Sequence, residues 1–268
     1  MSAPIRTGVG RAVDGDYHQF GLSVYRDLAE KTSYLGLIAF SLTGRRLSRA
    51  EETVLDDLAV SSHVTEPRVW PIKLSWIVGS LGRPMPGYIA GIVALDSDIL
   101  GGRVGTDAAR LLVELRSFLT VAGDTDDAIR EFVADQPKLF GFGVPVRSVD
   151  ERLVAFRTAL ANRAYPCGPF WQLAERFWRI ARDTRRVEVN IIGATAAICL
   201  DLGFTPAQVA PMAVMLLTPT FLGNATEAAA QSPEVLKRLP PEAIRYVGPP
   251  PRESPRSVLA GQMHSSRP

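Results

Sequence analysis

Histidine and cysteine are scarce in this chain, and each scarcity closes off a class of function. Of 268 residues, 3 are histidine and 2 are cysteine. Cys167 and Cys199 stand far apart and share no metal-ligand spacing, so neither a metal module nor a disulfide framework is expected. Free thiols in a reducing compartment follow. An excess of one charge is also missing. The chain has 30 Lys and Arg against 28 Asp and Glu, a formal net charge of +2. That is too little to mark a nucleic-acid or anionic-membrane partner. There is no Walker loop, no dinucleotide fingerprint and no nucleophile elbow. The N-terminus lacks the charged-then-apolar pattern of a signal peptide. No apolar run reads as membrane-spanning; the longest, near 191–202, is broken by Gly193 and Asp201. A cytoplasmic protein is expected.

Strand-like alternation is scarce as well, and helical spacing takes its place. Residues 17–42 carry apolar side chains at helical intervals, with Gly44 as a stop. Ser48 and Glu51 form a capping-box pattern ahead of Val54, Leu55 and Leu58. Residues 62–71 read as irregular because of Pro67 and Pro71. Shorter helical patterns follow at 74–81, 88–95 and 126–133, and longer ones at 106–119, 150–161 and 170–182. Residues 189–202 are apolar on all sides and therefore buried. Pro206 opens a last strong helix through Leu217, which 222–230 extends. Residues 1–15 and the Pro, Arg and Ser-rich segment from 248 onward read as loose. The fold class is all-α.

The most informative stretch is 140–152, a loop between two long helical patterns. Gly141 and Gly143 permit backbone angles that other residues resist, and Pro145 fixes the chain beyond them. Arg147 and Arg152 follow, and the guanidinium fork suits a carboxylate. A plain helix–helix connection with two solvated arginines fits the same residues. His63 lies in a second loop, beside Glu66 and Arg68. It reads either as an acid/base group or as a surface histidine.

These segments resemble the citrate synthase and citryl-CoA lyase superfamily. Phe140-Gly141-Phe142-Gly143-Val144-Pro145 is similar to its Gly-Phe-Gly-His-Pro loop, which ends in a substrate-binding Arg. Residues 189–204 resemble the helix that begins Asn-Val-Asp-Phe and runs into Leu-Asp-Leu-Gly-Phe. Residues 35–44, 59–66, 101–112 and 240–249 are similar to other family segments, in order, so the resemblance covers about 30–250. It implies a larger helical domain from 1–106 and 187–247, a smaller one at 107–186, a tail at 248–268, and a homodimer. It also implies acyl-CoA or carboxylate chemistry, with a CoA thioester as a candidate substrate.

Carried over residue by residue, the family's machinery is incomplete. Its first His falls at Gly101, its second at Val144, its Asp at Ile192, and a helix-borne Arg at Leu217. None of Gly, Val or Ile can move a proton. No register shift restores the first His, since 100–106 contains none. His63, Arg152, Asn190 and, one place out of register, Arg238 survive, and Glu66 stands where the family has Asn. Two functions follow. In the first, an enzyme has rebuilt its pocket, with His63, Glu66 and Glu188 as acid/base candidates and Arg147, Arg152, Asn190 and Arg238 as substrate contacts. Asp107 is a further replacement carboxylate, although it and Glu188 serve equally well as helix-end charges. In the second, catalysis is lost and a ligand-binding or partner subunit remains. The first is the reading adopted from the residues.

Overall fold

Asp14 and Gly15 turn the chain back on itself with φ of 43° and 79°, and Phe20 and Gly21 do so again at 47° and 85°. Two positive-φ residues in succession match the right-handed twist of paired strands. The result is a small antiparallel sheet of β1 (Gly10–Val13), β2 (Asp16–Gln19) and β3 (Leu22–Ser23). This corrects the helical reading of 17–42 and the loose reading of the segment before it. A π-helical turn, Val24–Leu28, follows, and helix proper begins only at α1 (Tyr34–Thr43), capped by Ser33 and closed by Gly44. The Asp-Gly pair was the signal for the first hairpin.

The computed structural model describes residues 4–97, 101–144, 148–233 and 240–250. Helix accounts for 63% of it and strand for 5%, so the class is all-α. Ser48 and Glu51 form the expected capping box at the start of α2 (Arg49–Ser62). Pro71 and Pro84 act as helix openers. Their missing N–H costs nothing in a first turn, so α3 (Trp70–Gly79) and α4 (Pro84–Leu95) each start four residues before the expected position. The chain continues through α5 (Gly102–Ala122), α6 (Asp126–Asp135), α7 (Glu151–Asn162), α8 (Pro169–Arg185) and α9 (Ile191–Asp201). The last expected helix is in fact two, α10 (Pro206–Leu216) and α11 (Thr218–Ala229), which part at Leu217.

Residues 1–233 form one compact unit. α9 is its axis. Nine of its eleven residues are buried, against α5, α8, α10 and α7. A second cluster of Ile72, Leu95 and Phe221 joins α3, α4 and α11. The span Pro206–Ala229 is long and apolar enough to cross a membrane by length and composition, contrary to the reading of the runs. Its apolar side chains Val209, Met212, Leu216 and Phe221 are instead buried in the two cores. In the unit of residues 234–268, the described part holds one 3-10 turn, Pro241–Ala243, and Tyr246 Oη donates to the Pro249 carbonyl at 2.8 Å. The tail beyond 250 lies outside the described residues.

Candidate functional site

The Gly-Phe-Gly loop is held by backbone bonds to the stretch leading into α9. Phe142 and Val189 form an antiparallel bridge. Gly143 N–H donates to the Glu188 carbonyl at 2.8 Å, and Asn190 N–H donates to that of Gly141 at 2.9 Å. Asn190 Nδ2 adds a bond to the Gly143 carbonyl at 3.0 Å, while its Oδ1 caps α9 through Ile192 and Gly193 N–H. Gly141 needs to be glycine twice over. Its φ is 80°, and a Cβ there would lie 2.7 Å from Gly193 Cα, on backbone that cannot yield. Gly141→Ala is therefore expected to destabilise the protein by about 2 kcal/mol or more, from left-handed strain plus collision. Urea melts of the two proteins measure this; superimposable curves would refute the loop's rigidity.

This loop forms one wall of a cavity of about 530 Å³. Its other walls include Gly101 and Val104 at the start of α5, Ile192 on α9, Pro71 and Ile72 on α3, Leu95 at the end of α4, and Leu217, Thr220 and Phe221 around the α10–α11 junction. The four positions at which the resemblance calls for His, His, Asp and Arg are Gly101, Val144, Ile192 and Leu217, and all four line this one cavity. Sequence register and geometry therefore single out the same cavity. Among the described residues of its wall there is no histidine and no carboxylate.

The expected site residues scatter. Arg152 lines the cavity, yet its Nε and Nη2 donate to Asp150 Oδ1 and Oδ2, both at 2.8 Å. Asp150 is buried and also accepts Ile191 N–H at 2.8 Å. Burial raises the Asp150 carboxyl; the Arg152 guanidinium and the two backbone N–H groups outweigh this and leave it below the ordinary carboxylate value. One edge of the Arg152 fork is thus occupied from within, and only the Nη1 edge is left for a ligand. Asn190 faces the cavity too, but its amide is committed to the loop and the helix cap. His63 is exposed and does not line the cavity; its Nδ1 lies 2.9 Å from Thr220 Oγ1, which also accepts Val64 N–H at 3.4 Å and does reach the wall. Glu66 is exposed and paired with Arg68. Glu188 faces a separate cleft with Arg157, Arg176 and Arg179. Asp107 is paired with Arg110 at 3.1 Å on the surface of α5. Arg147 and Arg238 lie outside the described residues.

Two wall residues escaped the sequence reading. Lys138 Nζ sits 4.7 Å from the Phe140 ring centroid at the cavity's exposed side. Its position just before the Gly-Phe-Gly loop was the available signal. Thr220 had none, because only folding brings α11 against the His63 loop. Asp201, within the Leu-Asp-Leu-Gly-Phe segment, serves the fold and not the cavity. It accepts Phe170 and Trp171 N–H at 2.8 and 2.9 Å and so caps α8.

No protein-family model matches the sequence, and no curated protein matches it. Solved structures do resemble the fold. Citryl-CoA lyase from Hydrogenobacter thermophilus superposes with a TM-score of 0.76 at 21% identity, over 95% of this chain and 99% of that one. Citrate synthase from Thermotoga maritima gives 0.58 at 16%, over 83% and 59%. ATP citrate lyase of Methanosaeta concilii, bound to (3S)-citryl-CoA, gives 0.68 at 15%, over 97% and 43%. With the helical content, these likenesses lead to one conclusion: the chain has the all-α fold of the citrate synthase and citryl-CoA lyase superfamily.

Proposed function

We propose that the protein binds a carboxylate or an acyl thioester of the CoA class in this cavity, without the proton-transfer chemistry of citrate synthesis or cleavage. One observation carries the reading. The positions that converge on the cavity are Gly101, Val144, Ile192 and Leu217, while a guanidinium, Arg152, remains in its wall. Binding without citrate chemistry fits that pattern. A second reading has its own support. Thr220 reaches the cavity and its hydroxyl is hydrogen-bonded to His63, so an enzyme with rebuilt chemistry would work through this pair rather than through Glu66 or Glu188.

The test is calorimetry with di- and tricarboxylates, monocarboxylates and acyl-CoAs. Arg152→Lys keeps a cation for Asp150 while removing the second edge of the fork. It is expected to weaken binding of the ligand that the wild type takes by about tenfold, the lower end for a charge-assisted contact. Equal affinity in the two proteins would sink the proposal.

We also infer a homodimer. α9 offers little surface for it, because nine of its eleven residues are buried within one chain. The supporting surface is elsewhere: Trp70 and Leu74 on α3 and Ile89 and Val93 on α4 are exposed, and Val93 is 67% exposed. An apolar face of this kind favours an isologous contact. Val93→Glu is expected to shift the light-scattering mass from dimer to monomer; a wild type already monomeric at micromolar concentration would count against the dimer. The free thiols Cys167 and Cys199 fit a reducing, cytoplasmic setting.

A further inference from the structure

The cavity's charge and lining specify its ligand more narrowly than a carboxylate. Among the described residues two cations face it, Lys138 and Arg152. Arg152 is already neutralised by Asp150 at 2.8 Å through two bonds. Among the described residues Lys138 has no carboxylate partner, only the Phe140 ring. The described wall thus offers about one uncompensated positive charge. The polar groups that remain are used: Asn190 holds the loop and Thr220 holds His63 and Val64. Everything else toward the α3, α4 and α11 side is hydrocarbon, continuous with the core cluster of Ile72, Leu95 and Phe221. A tricarboxylate placed here would leave carboxylates desolvated without a partner, which is costly.

Resting on the reading that the cavity holds a carboxylate, we propose that its ligand is an apolar monocarboxylate. The head group would meet the free edge of Arg152 and Lys138 Nζ. The hydrocarbon body would lie along Ile72, Leu95, Leu217 and Phe221. A volume of about 530 Å³ is ample for a medium-length chain or an aromatic acid.

The experiment is calorimetry of the full chain with butanoate, hexanoate, octanoate and decanoate, beside citrate and octanoyl-CoA. Affinity is expected to rise about fourfold per added methylene, the equivalent of about 0.8 kcal/mol each, and octanoate should bind at least tenfold tighter than citrate. Leu217→Gln should flatten the rise with chain length, whereas Lys138→Ala, at an exposed position, should weaken every acid by a similar factor. Thermal melts confirm that both variants fold. If citrate binds and the acids show no rise with length, this inference fails while the carboxylate reading stands. If octanoyl-CoA binds and no free acid does, the free monocarboxylate is likewise ruled out. If nothing in the panel binds, both readings fail together.

Discussion

Asp150→Asn is expected to cost about 3 kcal/mol of folding stability, the lower end for removing one partner of a buried charge pair. The lower end applies because the Arg152 side chain is 33% exposed while that of Asp150 is 1% exposed. The geometry explains the size. Asp150 Oδ1 and Oδ2 accept four N–H groups: Arg152 Nε and Nη2, Arg152 N and Ile191 N. An amide presents one oxygen and one NH2, so at least one donor pair is left face to face inside the protein. The bonds also join α7 to α9, so their loss loosens the base of the Gly-Phe-Gly loop. The pH dependence has a definite sign. The folded carboxyl lies below its unfolded value. Its contribution is therefore fully present above the unfolded carboxylate value, near pH 4, and is lost as the pH falls through the folded one. Urea melts at pH 7 and at stepwise lower pH test both statements. Asp150→Asn should shift the midpoint sharply at neutral pH and show a shallower loss than wild type below about pH 4. A variant as stable as wild type at pH 7 would show that the pair is incidental.

Turnover of oxaloacetate with acetyl-CoA, and cleavage of citryl-CoA, are expected to stay at background. One positioned acid or base is typically worth about 10²–10⁴-fold. Here Gly101, Val144 and Ile192 occupy the wall where the resemblance implies three such groups. The losses do not multiply, since such groups act as a unit, yet any one of them suffices to remove useful rates. His63 is exposed and lies outside the described cavity wall, with its Nδ1 2.9 Å from Thr220 Oγ1. Glu188 opens on another cleft. The measurement is a coupled CoA-release assay on protein purified free of host citrate synthase. Turnover that copurifies with the chain and disappears on His63→Ala would overturn the expectation and restore the enzyme reading.

Much of the helical frame was legible in the residues, and for local reasons. The Ser48–Glu51 capping box, the stop at Gly44 and the apolar stripes of α5 and α8 act within a few residues of themselves. The burial of α9 was legible too, because a helix apolar on every side has nowhere else to go. The N-terminal sheet was misread because helical spacing in 17–42 outweighed the turn chemistry of Asp14–Gly15, although the turn is what governs the chain there. Register also grouped four positions, Gly101, Val144, Ile192 and Leu217, that folding brings together in one cavity.

What each side chain is free to do was decided only by the tertiary structure. Sequence alone determined that Arg152 follows the glycine loop, and it offered His63, Glu66 and Glu188 as acid/base candidates. It could not show that Asp150 takes one edge of Arg152, that Glu66 turns to Arg68, or that Glu188 faces away. Nor could it join Thr220 to His63 across 157 positions. The physical reason is that a polar side chain's role depends on which partner reaches it first once water is excluded. Those partners come from distant parts of the chain, where no local spacing records them.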